Sequence, residues 1–379
     1  EDVAAPPGVR DALAVVQVYQ PRAYGARCDG AYHAISERYP TLAAAQAAFG
    51  PHVTALTQSL DWAAFQKVSE LCKAAGGGTI RWNGTAIFGT PNGANQYLVL
   101  YDNTTLEGGG AESIIKRADN TTPEIKPLIY NEARSTSLGG LGIGNYNANI
   151  HLRNFVVDGG NVVTGATTWE GQDFLWSITF TRLQNFSLQN IECRDGRYNG
   201  LTLEYCRDGA VSDSRFLRNL KNGVYLSGSD RIAFTNCHAH GNGVVGGTTG
   251  GGWAVAASWH CTLNGCTGFG NAGGGVTFGR DSQCLTVNGG SFDHIDTFVE
   301  PASGDLPYQS DHVFPDGSTM LTADWDGLTD MGGHRSSLNG VTLIGKAGWS
   351  SLRLIDCGDV DVNDLIVTGA GRFGAQIYG

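Results

Sequence analysis

Glycine opens four stretches of this chain that share one pattern. GLTLEYCRDGAVSDSRFLRNLKN begins at Gly200, GVYLSGSDRIAFTNCHAHGN at Gly223, GWAVAASWHCTLNGCTGFGNAGG at Gly252 and GVTFGRDSQCLTVNGGSFDHI at Gly275. The steps are 23, 29 and 23 residues, and the longer one is the same 23 with a six-residue insertion inside GVVGGTTGG. A further copy starts 23 residues upstream at Ser177, and the register returns at Ser351 as SLRLIDCGDVDVNDLIVTGAGRF. Apolar residues alternate in short bursts, as in Leu201/Leu203, Val224/Leu226, Trp253/Val255 and Val276/Phe278. That is strand periodicity rather than helix periodicity. Three short strands and their turns fit in such a repeat, and none can bury its apolar side chains alone, so successive copies must stack. The expected fold is all-β: a single-stranded, right-handed parallel β-helix. The opening glycine is expected where one coil passes into the next, in a backbone conformation with positive φ. A β-sandwich would instead show hairpin dipeptides and no fixed columns.

Glycine makes up 55 of 379 residues, charged residues are only 16%, and the net charge is −11. The acidic balance argues against a binder of nucleic acid, which needs a basic patch to neutralise phosphates. No apolar run reaches the roughly 20 residues of a membrane helix, so no membrane insertion is expected. The opening EDVAAPPG has neither a basic nor an apolar stretch of the kind that marks a signal peptide. Nine cysteines occur without a zinc-like CxxC spacing. Cys261 and Cys284 share one repeat column, and Cys237 and Cys266 another. They are expected as buried small apolar residues of a protein folded in a reducing compartment.

The N-terminal region differs. DWAAFQKVSELCKAA (61–75) carries Trp62, Phe65 and Cys72 at helical spacing and stops at GGG, so it predicts an α-helix capping the open end of the stack. Residues 1–60 are expected as an N-terminal neck or insertion segment, and 61–379 as the β-helix domain. Long loops at 160–176, 243–251 and 296–336 are all expected just before the first strand of a coil.

RAYGARCDG, the helix DWAAFQKVSELCKAAGGGTI and TTLEGGG together resemble the start of pectate-lyase-like (pectin-lyase-like) β-helix proteins. The intervening AYHAISERYPTLAAAQAAFGPHVTALTQSL is similar to an insertion found in bacteriophage tailspikes, virion proteins that bind and degrade host surface polysaccharide. The resemblance implies a homotrimer, a bacterial polysaccharide as partner, no cofactor, and a place on the virion acting at the bacterial surface, with secretion as the alternative.

A carbohydrate cleft needs aromatic faces for sugar rings and two carboxyl groups to act as acid and as base or nucleophile. Glu204, at a strand end on the groove side, is the first candidate. Its partner is expected in Asp173 or Glu170, or the pair is Asp208 and Asp230, nearly in one column and one coil apart. Asp311, Asp324 and Asp326 of the long loop are further candidates. Substrate-binding candidates are Arg182, Tyr205, Tyr225, Trp169, Trp259, His260, Arg280, Asp281 and Trp325. Each has an ordinary alternative as a turn or surface residue. The HAH at 238–240 points two imidazoles the same way but shows no third ligand, so no metal is expected.

Alginate epimerases and related lyases resemble the chain around YNGLTLEY, where they carry a Tyr-Gly-x-Asp-Pro-His-Glu run. Here Thr202 and Glu204 fall about where their Asp and His stand, which removes the apparent base and acid for proton abstraction at a sugar C5. Hydrolysis of a bacterial surface polysaccharide is the leading expectation. A lyase or C5-epimerase of the same fold and a non-catalytic carbohydrate-binding spike are the alternatives.

Overall fold

The computed structural model describes residues 17–94, 96–119, 127–133, 146–160, 177–243, 250–272, 274–279, 282, 284–292, 295–298, 337–344, 350–355, 361–368 and 373–378. The repeat columns are register columns. Leu201–Glu204 pairs in parallel with Val224–Ser227, that strand with Trp253–Ala256, and that one with Val276–Gly279. Leu203, Leu226, Val255 and Phe278 therefore follow one another up a single row, and the first three are buried.

Each full coil contributes one strand to each of three faces. The first sheet stacks ten described strands in chain order, from Leu98–Leu100 to Phe373–Tyr378. The second includes Arg207–Ser212, Asp230–Thr235 and Thr262–Asn264, and the third Arg215–Leu217, His238–His240 and Thr267–Phe269. Inward side chains fill the tube. Phe216 and Phe234 meet the Trp253 ring edge-on at 6.0 and 5.0 Å, and Trp253 is 1% exposed.

The glycine column has a different cause from the one expected. Gly200, Gly223 and Gly252 are absent from the positive-φ positions. Close approach explains them. A Cβ on Gly223 would stand 2.8 Å from the Gly252 carbonyl oxygen and 2.9 Å from Asn242 Nδ2, and one on Gly252 would meet the Gly275 oxygen at 2.6 Å. The left-handed conformation falls at the corners, where Asn190, Asp213, Asn236, Gly265, Gly289 and Gly340 share one column. Asn and Asp tolerate that conformation because their short side chains bond locally.

The coil interior carries ladders of polar side chains. Asn219 Nδ2 donates to Asn242 Oδ1 at 3.0 Å, and Asn242 Nδ2 to Asn271 Oδ1 at 2.9 Å. Asn222 Nδ2 repeats this on Asn199 Oδ1. Ser229, Ser258 and Ser282 accept from the backbone N–H of Cys206, Ser229 and Ser258. Each ladder pairs buried backbone groups that the turns would otherwise leave unsatisfied.

The capping helix spans Leu60–Ala74, with Ser59 accepting from the Trp62 N–H at its start. Phe65 packs on Trp82 and Phe88, the first inward rings of the stack. Asp61 ties the cap to the chain entering it, accepting from the N–H groups of Arg27, Cys28 and Ile87. A second helix, Leu42–Phe49, lies in the segment read from sequence as an insertion. Its Phe49, with Ile35 and Val53, belongs to the same buried core as the capping helix. The eight described cysteines are free and all but Cys284 are buried, and burial pushes the thiols of Cys206 and Cys261 up to about 12.

The insertions divide between two corners. Residues 161–176 and 244–249, outside the described residues, precede the first-sheet strands Ile178–Thr181 and Trp253–Ala256 in the chain. Residues 299–336, outside the described residues, are flanked by Ile295–Phe298 of the first sheet and Ser337–Asn339 of the second. Another insertion, between Asn131 of the first sheet and Asn147 of the second, falls between the same two sheets.

Candidate active site at the corner between the first and second sheets

The corner is built one residue per coil. Arg182, Tyr205, Gly228 and Ala257 follow the ends of successive first-sheet strands, all with positive φ between 44° and 58°. Tyr146 precedes Asn147, the register partner of Leu183, and so stands one coil before Arg182. Gly228 and Ala257 leave the column low, and Tyr146, Tyr205 and Trp259, each partly exposed, belong with Ala257 to one small apolar cluster. Tyr146 had no sequence signal, because it follows no repeat.

Glu204 ends the strand Leu201–Glu204, directly before Tyr205. Its neighbour one coil earlier is Thr181, whose hydroxyl donates to Glu204 Oε2 at 2.9 Å. Arg182 is buried, and its N–H donates to the Glu204 carbonyl at 2.9 Å. Tyr225 lies on the first sheet in register with Thr202 and Ala254.

Across the turn, Asp230 starts a second-sheet strand and pairs in register with Arg207, while Asp208 falls level with Arg231. The two aspartates are thus offset by one residue, and a guanidinium stands between them. Arg231 Nε is 2.6 Å from Asp208 Oδ1, its Nη2 reaches Asp208 Oδ2, and its Nη1 contacts Asp230 Oδ2. Arg207 Nε adds a third donor to Asp208 at 3.1 Å. The Arg231 hydrogen bonds, helped by Arg207, hold the Asp208 carboxyl below its ordinary value. A carboxylate held ionised by two guanidinium groups is a poor proton donor. The salt bridges to Arg231 and Arg207 do not favour Asp208 as the acid of a pair with Asp230.

Asp230 is 7% exposed and turns its other oxygen to a histidine. His260 Nδ1 lies 2.8 Å from Asp230 Oδ1, while the imidazole is 59% exposed. With Nδ1 turned to the carboxylate, Nε2 is the ring nitrogen left on the other side of the imidazole. Trp259, beside it, bridges to Asp230 through the backbone.

The structure therefore brings Glu204, Tyr205, Asp208, Asp230, Trp259 and His260 to one corner, with Arg182 beneath. Asp173, Glu170, Trp169, Arg280, Asp281 and Trp325 lie outside the described residues, as do Asp311, Asp324 and Asp326. Among the described residues no three His, Cys, Asp or Glu side chains converge as a metal site, and no helix is long and apolar enough to cross a membrane.

A tube of stacked parallel coils carrying interior polar ladders defines a parallel β-helix protein. Residues 85–292 match the right handed beta helix region family, more than half of the chain, and the chain belongs to that family. No curated protein matches the sequence. Among solved structures the chain is similar to the Streptococcus pneumoniae surface protein and adhesin PfbA, with a TM-score of 0.56 at 11% identity over 96% of this chain and 100% of that one. It is also similar to bacteriophage phi29 gene product 12, with a TM-score of 0.55 at 17% identity over 95% of this chain and 50% of the phage protein. The ORF18 protein of Geobacillus virus E2 gives 0.51 at 13% identity over 92% and 59%. The chain thus spans only about half the length of these phage proteins, and at such identities the likeness is one of fold.

Proposed function

We propose that this chain is the β-helical body of a phage spike that binds and hydrolyses a bacterial surface polysaccharide. The observation that carries the reading is the exposed His260 imidazole, oriented by buried Asp230 on the same corner as Glu204 and the aromatic side chains of Tyr146, Tyr205 and Trp259. The aromatic faces offer stacking surfaces for sugar rings. The fold shared with two phage proteins supports a place on a virion, and homotrimerisation belongs to the same proposal.

Glu204 in its acid form protonates the glycosidic oxygen as the C–O bond breaks. His260 Nε2 takes a proton from water, whose oxygen attacks the sugar carbon, and Asp230 stabilises the imidazolium. Both Asp230 oxygens are engaged, by Arg231 and His260, which disfavours direct attack by Asp230 and favours single displacement with inversion. Tyr205 and Tyr225 line the approach as binding groups, and buried Arg182 supports the corner beneath them.

The salt-linked state of Asp208 and Asp230 also suits a second reading, a non-catalytic carbohydrate-binding spike, since Arg231 bridges both carboxylates. Incubation with purified capsule and O-antigen polysaccharides, followed by size analysis, tests the proposal. Hydrolysis shortens the chains without an unsaturated-sugar absorbance, a lyase shortens them with it, and a binder leaves their length unchanged.

A further inference from the structure

Two imidazoles on the third sheet take no part in the corner site. His238 and His240 point outward from the strand His238–His240, while Ala239 between them is buried in the core. The next coil presents Thr267, the register partner of His238. His238 Nδ1 lies 2.7 Å from Thr267 Oγ1, and His240 Nε2 lies 2.8 Å from that same oxygen. Phe269 sets the His240 ring edge-on at 5.5 Å. The strand is paired on both sides, with Arg215–Leu217 and Thr267–Phe269, so the backbone carrying the three groups is fixed.

A hydroxyl has one proton to give, so Thr267 can donate to one ring nitrogen and must accept an N–H from the other. Two imidazole nitrogens on one rigid strand, each within 2.8 Å of the same hydroxyl oxygen, are close enough for one cation to bind both when it takes that oxygen's place or displaces it. Imidazole nitrogen suits zinc, copper and nickel, whereas calcium and magnesium need sets of oxygen ligands. The nearest column cation, Arg215, is bound to Glu192 at 2.8 Å, so its charge is compensated.

We infer that His238 and His240, with the Thr267 hydroxyl or a water in its place, form a surface site for a late first-row divalent cation. The two imidazoles supply the affinity and waters fill the open positions. The site sits on the third sheet, away from the corner between the first and second, and does not depend on the proposed hydrolysis.

The test is a Cu2+ titration of the whole chain in a non-coordinating buffer, followed by electron paramagnetic resonance. One equivalent should bind with splitting from two nitrogens. His238→Ala and His240→Ala should each abolish the two-nitrogen signal and weaken binding at least about tenfold. Thr267→Ser should retain the site, and unchanged circular dichroism confirms that each variant keeps its coils. A two-nitrogen signal that survives either histidine substitution would overturn the inference. So would an affinity that neither substitution changes.

Discussion

His260 and Asp230 meet across one coil of the stack, the imidazole Nδ1 2.8 Å from the carboxylate Oδ1, with the ring exposed and the aspartate buried. In the proposed hydrolysis, that burial gradient suits the aspartate to orient and the histidine to meet substrate. His260→Gln should therefore lower polysaccharide cleavage by about a hundredfold or more, within the range typical of lost general acid–base catalysis. The dissociation constant for the same polysaccharide should change little. Equal losses in cleavage and binding would place His260 among the binding groups only.

Asp208 makes a contrasting case. Its carboxylate is occupied by Arg231 and Arg207, so Asp208→Asn should weaken the fold more than the chemistry. The expected loss is about 1 kcal/mol of stability, with kcat within about threefold of the parent. A chemical unfolding curve and a rate measurement on the same sample check both halves.

The interior ladder sets a stability prediction. Asn242 accepts from the Asn219 N–H and Nδ2 and donates to Phe216 O and Asn271 Oδ1. Asn242→Ala strands a buried backbone N–H and should cost about 1–3 kcal/mol or more. Urea denaturation measures it.

The sequence made the coil legible because apolar columns at a 23-residue step can come into register only by stacking, and Leu203, Leu226 and Val255 do so. The ladders were not legible. Asn219 and Asn242 carry no signal in the sequence, because only the fold turns their amides inward. The glycine column was visible but its cause was not, since a sequence cannot separate a residue that needs positive φ from one that needs empty space. Glu204 and Asp230 could be nominated from their columns, but the Arg231 bridge depends on side-chain direction, and Tyr146 lies outside the repeat.

Two glycines separate those causes by experiment. Gly223→Ala places a methyl group against the Gly252 carbonyl and the Asn242 amide and should destabilise by about 1–3 kcal/mol. Gly265 has φ +61° and nothing within 4 Å of a Cβ, in a column where Asn236 precedes it. Gly265→Asn should be neutral or slightly stabilising. Thermal unfolding of the two variants should show opposite outcomes.

His33 makes the N-terminal segment pH-sensitive. Its Nδ1 meets Glu37 at 2.7 Å and its Nε2 meets Asp29 at 3.1 Å. The Glu37 hydrogen bond, then Asp29, raise the His33 pKa above its ordinary 6.5, so its contribution is complete below 6.5 and fades as pH rises through the folded value. His33 likewise lowers the Glu37 carboxyl from 4.5, and that contribution fades on acidification. The difference in melting temperature between the parent and His33→Ala should peak between about pH 4.5 and 6.5 and shrink by pH 8. A difference independent of pH would contradict the ion-pair assignment.

The corner as a hydrolytic site is tested most directly by mass analysis of purified capsule and O-antigen polysaccharides after incubation with the parent chain and with Glu204→Gln. The account predicts oligosaccharides with saturated ends from the parent and intact polymer from a variant that still binds it. Cleavage by Glu204→Gln at the parental rate, or products with unsaturated ends, would contradict it.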